Sequence, residues 1–301
     1  MQEILCPLCG KQNYRVLYTS TLTNEDFNLE VLRNHLKNTL DDYTKHGQIV
    51  RCDTCGLVYT NPMEDLSTIL KGYEEVVDEE YLQTEHYRKL LLKSHLKKLN
   101  IFAKKGTLLD VGCFAGFFLE IAKEQGWKVY GIEPSQWAGK IAVKKGVTML
   151  GHEIEKAKLK NNFFDAITLF DVIEHLGKPH KVMTVLEKTM KKNGILLMAT
   201  PNIDSLFAKI LGKRYPFLIR MHLILYSPKT LKMLFEQHGF EVIDTGNYIR
   251  IFPLYYVLGK IQLKNKFFTW IKATLLSYPR IANFSVHLNF GDTFYMIGKK
   301  L

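Results

Sequence analysis

Leu108-Leu109-Asp110-Val111-Gly112-Cys113-Phe114-Ala115-Gly116-Phe117-Phe118 reads as a short apolar strand, Thr107 to Val111, turning into a helix that runs from Phe117 to Gln125. A strand that ends at Gly112 and a helix that opens near Gly116 need a tight turn whose backbone can approach a ligand, and glycine removes the obstructing Cβ. A nicotinamide nucleotide site would want glycines where Phe114 and Phe117 stand, which argues against a pyrophosphate at this turn. Outward from here the chain alternates. Strands are expected at Lys128 to Ile132, Val147 to Leu150, Asp165 to Phe170 and Ile195 to Ala199. Helices are expected at Gln136 to Lys145 and at His180 to Lys191, the second ended by Asn193-Gly194. A helix from Pro228 to His238, a strand from Glu241 to Tyr248 and a final strand near Thr293 to Gly298 follow. Strands separated by helices at this interval imply parallel pairing with right-handed crossovers, hence an α/β fold with a doubly wound sheet.

Gly131-Ile132-Glu133-Pro134-Ser135 puts an acid at the end of the next strand, 21 residues beyond Gly112, where a carboxylate can accept both ribose hydroxyls of a nucleoside. Phe170-Asp171-Val172-Ile173-Glu174-His175 places Asp171 and His175 at the carboxyl end of the fourth strand, the edge where open α/β sheets bind ligands.

Upstream, Cys6-Pro-Leu-Cys9-Gly and Cys52-Asp-Thr-Cys55-Gly stand 42 residues apart. Two-residue spacing lets both thiolates of a pair reach one ion, and the glycine suits the knuckle that turns backbone N–H groups toward sulfur. Four thiolates fill a tetrahedral Zn²⁺ and leave no open position, so the expected zinc is structural. Residues 1–62 read as this metal-stapled module and 63–105 as a linking helical segment. Residues 106–301 read as the main domain, with a basic apolar insertion at about 205–285.

The 301 residues are 47% hydrophobic and 24% charged, a globular composition that excludes collagen-like and disordered readings. No apolar stretch reaches the roughly 18–20 residues of a spanning helix. The opening residues lack a secretory pattern, so a cytoplasmic location is expected. Of the net charge of +11, the last third holds nearly all: 14 Lys or Arg face 4 acids between Ser205 and Leu301. Such a field favours anionic partners. Lys264 to Tyr278 places Phe267, Phe268, Ile271, Leu275 and Tyr278 on one helical face with lysines elsewhere, a pattern suited either to packing on its own domain or to peripheral contact with an anionic membrane at its inner face.

These motifs, with Asn193 to Asn202 and Leu231 to Ile243, resemble the class I S-adenosylmethionine-dependent methyltransferases over about residues 80–250 plus the last strand. The whole chain resembles bacterial small-molecule methyltransferases with an N-terminal four-cysteine zinc module, many of them associated with sugar or envelope-glycan pathways. The resemblance implies a Rossmann-like sheet of seven strands with the last antiparallel. It implies that Asp110, Gly112 and Gly116 surround the methionine part of S-adenosylmethionine, Glu133 the ribose, and His152, Glu153 and Ile154 the adenine. Cys113, Phe114, Pro134, Ser135, Phe170 and Asp171 complete the implied cofactor set. Phe114 departs from the family, which usually has a middle glycine there.

Methyl transfer to a hydroxyl needs a group to accept the proton, and His175 and His222 are positioned to serve. Each has a structural alternative: His175 as a helix-start residue bonding backbone, His222 as a loop-packing residue. The reading is thus O-methylation of a sugar or other small metabolite, the anionic carrier being nucleotide- or lipid-linked. RNA methylation is the alternative suggested by zinc plus basic charge. It is disfavoured because Asp171-Val172-Ile173-Glu174-His175 stands where an Asn-Pro-Pro-Tyr-type site for base amines would be. A non-catalytic scaffold that docks a partner through the cysteine module rests on Phe114 alone.

Overall fold

Fully buried apolar runs between glycine stops become strands. The computed structural model describes residues 1–27, 30–31, 45–259 and 266–301. Three short strands, β1 (Tyr14–Tyr18), β2 (Ile49–Cys52) and β3 (Val58–Thr60), are followed by three helices, α1 (Leu66–Glu74), α2 (Glu79–Gln83) and α3 (Glu85–Phe102). The alternating core then runs β4 (Thr107–Val111), α4 (Phe117–Glu124), β5 (Lys128–Ile132), α5 (Gln136–Lys144), β6 (Thr148–Gly151), β7 (Phe164–Phe170), α6 (Pro179–Thr189) and β8 (Met190–Pro201). Beyond it lie α7 (Leu206–Leu211), β9 (Ile224–Leu225), α8 (Pro228–Glu236), β10 (Phe240–Asn247), β11 (Arg250–Pro253), β12 (Ser285–Leu288) and β13 (Thr293–Lys300).

The main sheet has seven strands in the order β10-β13-β8-β7-β4-β5-β6. Neighbours from β8 to β6 pair in parallel, while β13 is antiparallel to both β8 and β10. This is the doubly wound sheet with an antiparallel last strand that the resemblance implied. In β4, Leu108 and Leu109 are wholly buried because helices cover both faces.

The cysteine strands form a second sheet, β1-β2-β3-β9, so residues 224–225 of the late chain complete it. Cys6, Leu8, Leu57 and Tyr59 share one apolar cluster with Leu109, Ile167, Leu186 and Leu234 of the main domain. The His180 Nε2–H donates to the Leu8 carbonyl at 3.0 Å across the same contact.

Three local readings change. The expected linking helix, Glu80 to Lys105, is two helices. Thr84 ends the first with its hydroxyl on the Tyr81 carbonyl (2.8 Å), and the same hydroxyl accepts from Arg88 Nε (2.8 Å). A further helix, α1, precedes them, capped by Asp65, whose carboxylate accepts the Ser67 N–H. The helix expected to run to Lys191 stops at Thr189 instead, and Met190 already pairs with Phe164. Asn193 (φ 63°) turns the irregularity that follows, before Ile195 pairs with Ala166. Of the expected amphipathic helix, Lys266–Leu276 is helical. Lys264 and the side chains of Phe267 and Phe268 lie outside the described residues. Among the described residues no helix is long and apolar enough to cross a membrane.

Candidate active site

A cavity of about 800 Å³ opens at the carboxyl edge of the main sheet, floored by the ends of β4, β5, β7 and β8 and roofed by α1 to α3 and the segment 214–222. Gly112, Phe114, Glu133, Pro134, Ser135, His152, Glu153, Ile154, Phe170, Asp171, His175 and His222 all line it. Asp110, Cys113 and Gly116 do not. The Asp110 carboxylate is turned into the sheet, where Thr168 Oγ1 donates to it at 2.6 Å, and buried Cys113 packs in the apolar layer beneath the loop. Gly116 (φ 75°) starts α4, 3.1 Å from the Ala142 Cα by its missing Cβ. These three shape the turn from behind.

The turn itself requires Gly112. Its φ is 72°, and a Cβ there would come within 2.4 Å of Val172 Cγ2. Phe114 also takes a left-handed conformation, φ 45°, which costs an L-residue about 1–2 kcal/mol. Two contacts offset that cost. The Phe114 N–H donates to Glu133 Oε2 at 2.8 Å, and its ring packs 4.3 Å from Tyr81.

Glu133 is the hub of the loops. Its second oxygen accepts the Ser135 N–H at 2.8 Å, and Ser135 Oγ in turn caps α5 and donates to the Val76 carbonyl at 2.9 Å. The His152 Nδ1–H donates to the Glu133 carbonyl at 3.1 Å. Burial pushes Glu133 up to about 7 against the pull of those two N–H groups. Burial likewise lifts Asp110 to about 7, with the Thr168 hydroxyl opposing and Glu133 adding repulsion.

At the other end of the cavity His175 and His222 face each other, ring centroids 4.9 Å apart. His175 Nδ1 lies 2.9 Å from the Met221 carbonyl and 3.0 Å from the Tyr73 hydroxyl. His222 Nδ1 lies 2.9 Å from the Phe217 carbonyl. A carbonyl only accepts, so Nδ1 carries the proton in each ring and Nε2 keeps the lone pair. Burial lowers His175 to about 4 and His222 well below its usual value, His175 contributing to the second shift. Both rings are neutral at physiological pH. Beside them Glu174 is 1% exposed; Thr200 donates to its Oε2 at 2.9 Å, and no hydrogen-bond donor reaches Oε1 among the described residues.

The roof supplies residues that sequence reasoning did not assign to the site. Tyr73 bonds His175, Tyr81 packs at a tilt against Phe114, and the Arg88 guanidinium lies 3.3 Å from the centre of the Tyr81 ring. Tyr81 carried a signal as an apolar position of the expected linking helix, whereas Tyr73 and Arg88 carried none. Of the four cations on the wall, Arg220 is paired with Glu64 (2.7 Å) and Lys45 with Asp26 (2.9 Å). Arg88 and Arg214 have no carboxylate partner among the described residues.

The four cysteines converge as well. Cys6 and Cys55 sulfurs stand 3.5 Å apart, Cys9 and Cys52 3.6 Å, and all four lie within 4.8 Å of one another. A tetrahedral zinc with bonds of about 2.3 Å sets sulfurs about 3.8 Å apart. Gly10 and Gly56 follow each pair with φ of 68° and 85°, and their N–H groups return to the Cys6 and Cys52 carbonyls. Burial pushes the Cys52 thiol up, but hydrogen bonds from the backbone of Cys55 and Thr54 outweigh it and bring the group to about 7.

A family model described as a methyltransferase domain matches residues 84–245. The chain is similar to the ubiquinone biosynthesis O-methyltransferase of Haemophilus ducreyi, 28% identical over 132 residues, which is 40% of this chain and 55% of that protein. Its counterpart in Colwellia psychrerythraea is 29% identical over 153 residues, 46% of this chain and 62% of that protein. The chain thus spans little more than half the length of these curated relatives. Among solved structures, a SAM-dependent methyltransferase from Archaeoglobus fulgidus superposes with a TM-score of 0.50 at 23% identity, covering 74% of this chain and 100% of that one. That likeness is one of fold.

Proposed function

Because the chain belongs to the methyltransferase-domain family, we propose that it transfers a methyl group from S-adenosylmethionine to a hydroxyl of a small anionic acceptor, a sugar or related metabolite on a nucleotide or lipid carrier. The observation that supports this most is the placing of Glu133 against the Gly112 turn in one cavity that continues to His175 and His222. When bound, S-adenosylmethionine supplies an electrophilic methyl on a sulfonium. Glu133 accepts the ribose hydroxyls, while the Gly112 turn, free of a Cβ, admits the methionine part. His152, Glu153 and Ile154 border the adenine. His175 and His222 present lone pairs to the proton of the acceptor hydroxyl, and apolar walls such as Ile69, Leu91 and Met221 limit the water around the methyl. Arg88 and Arg214, lacking carboxylate partners among the described residues, suit the acceptor's phosphate. That the curated relatives are named O-methyltransferases supports oxygen as the atom methylated.

The four-cysteine cluster fits a structural zinc that holds β2 and the knuckles together. An acceptor on a lipid carrier also accords with the exposed Trp270, Tyr278 and Phe284, close in sequence to Lys272 and Arg280, residue types suited to an anionic bilayer surface. The test is a methyl-transfer screen over nucleotide sugars and lipid-linked saccharides with mass detection. A gain of one methyl on an anionic acceptor is the expected result. Transfer only to uncharged acceptors would refute the role of Arg88 and Arg214, and no transfer to any hydroxyl acceptor would refute the reading.

A further inference from the structure

Three donor atoms, one each from Glu174, His175 and His222, lie within 4.8 Å of one another at the acceptor end of the cavity. They come from two stretches of chain held together by backbone: the Leu223 N–H donates to the Glu174 carbonyl at 2.9 Å. Each donor is prepared by a second contact. The Met221 and Phe217 carbonyls fix the proton on Nδ1 of the two imidazoles and so put each lone pair on Nε2, while the Asp171 carbonyl also acts on the His175 ring. The Thr200 hydroxyl holds one carboxylate oxygen of Glu174 and leaves the other, Oε1, without a hydrogen bond among the described residues. A carboxylate oxygen buried without a partner is costly.

We propose that Glu174, His175 and His222 bind a divalent transition-metal ion, distinct from the four-cysteine site. Two imidazole nitrogens and one carboxylate oxygen suit Zn²⁺, Co²⁺, Fe²⁺ or Mn²⁺, and too few oxygens are present for Ca²⁺. Bonds of about 2.0–2.2 Å call for donors up to roughly 4 Å apart, so side-chain shifts under about an ångström close the site. Three protein ligands leave positions open toward the cavity. This rests on the methyl-transfer reading and deepens it: the two imidazoles act on the acceptor oxygen through the ion instead of taking its proton themselves. Bound to the ion, the acceptor hydroxyl becomes more acidic and releases its proton to solvent. The oxygen's electron pair then forms the bond to the methyl carbon, and the S–CH₃ pair returns to sulfur.

The test uses Mn²⁺, which competes poorly for thiolates, titrated into the full-length protein already loaded with zinc and followed by electron paramagnetic resonance. About one Mn²⁺ per chain is expected, with spin-echo modulation from two imidazole nitrogens. Glu174→Gln and His222→Asn should weaken it at least tenfold while leaving the zinc of the cysteine cluster in place. The wild-type measurement needs neither variant to fold. Mn²⁺ that stays free at millimolar concentration, that binds without nitrogen modulation, or that binds both folded variants as tightly as wild type would overturn the proposal. The titration contains no S-adenosylmethionine, so its failure leaves the methyl-transfer reading standing, and a lack of S-adenosylmethionine binding leaves the ion site standing.

Discussion

Replacing Glu133 by Ala removes the carboxylate that the account places on the ribose. Each charge-assisted hydrogen bond is worth roughly 1.5–3 kcal/mol, and about 1.4 kcal/mol corresponds to a tenfold change. Two such bonds, about 3–6 kcal/mol together, therefore set a loss between about a hundredfold and about ten-thousandfold in affinity for S-adenosylmethionine. The structure narrows this and adds a pH signature. The same carboxylate anchors the Phe114 and Ser135 N–H groups at 2.8 Å, so the Ala variant also loosens the turn. With Glu133 raised to about 7 by burial, only part of it is ionised at neutral pH. Wild-type affinity should then climb from about pH 6 to about pH 8.5 as the accepting form fills, and the penalty of the Ala variant should grow with it. Glu133→Gln is the stricter probe, since either amide orientation turns an NH₂ toward one of two backbone N–H donors. It should bind at least tenfold more weakly, with a flat pH profile. Isothermal titration at three pH values measures both. Variants that retain native circular dichroism and bind within twofold of wild type throughout would refute the ribose assignment.

Without cofactor, Asp110 and Glu133 should make the protein more stable in mild acid. Their folded values near 7 stand above ordinary values of 3.8 and 4.5, so the folded chain keeps protons the unfolded chain releases. That stabilisation is complete below about 4 and is lost as pH rises through 7. Below about 6.5 the buried histidines, lowered in the fold, oppose this slope, so melting temperature should fall from about pH 6.5 to about pH 8, and the Asp110→Asn, Glu133→Gln double variant should flatten that fall; an unchanged slope would count against the shifts. Cys52→Ser should lose zinc and melt the cysteine strands first, because metal binding is part of their folding free energy; full metal content with an unchanged melting profile contradicts it. Phe114→Gly should be more stable than Phe114→Ala by about 1 kcal/mol in urea unfolding, since both lose the Tyr81 contact and only glycine relieves the left-handed backbone. Equal stability would mean the turn carries no such strain.

The sheet was legible because its strands are short, mainly apolar runs set off by Gly112, which follows β4, and by Gly146 and Gly239, which stop the helices before β6 and β10, each at positive φ. Burial on both faces leaves little freedom in where β4, β5 and β7 begin and end. The cofactor edge was legible for a related reason: a turn, an acid one strand later and a polar exit from β7 must meet wherever parallel strands end together. The boundary of α6 and β8 was not, since Asn193-Gly194 looks like a helix stop but serves an irregularity inside a strand. Nor was the cavity roof. Tyr73 reaches His175 across 102 residues and Arg220 reaches Glu64 across 156, contacts with no local pattern. The two-residue β9, which ties the segment of His222 to the cysteine sheet, is too short for any periodicity to announce it.

A crystal structure of the complex with S-adenosylhomocysteine tests the central claim most directly. The ribose hydroxyls are expected within hydrogen-bonding distance of the Glu133 carboxylate, the adenine beside Ile154, and the sulfur on the side of the cavity facing His175 and His222. A nucleoside bound elsewhere, or a ribose out of reach of Glu133 at full occupancy, would contradict it.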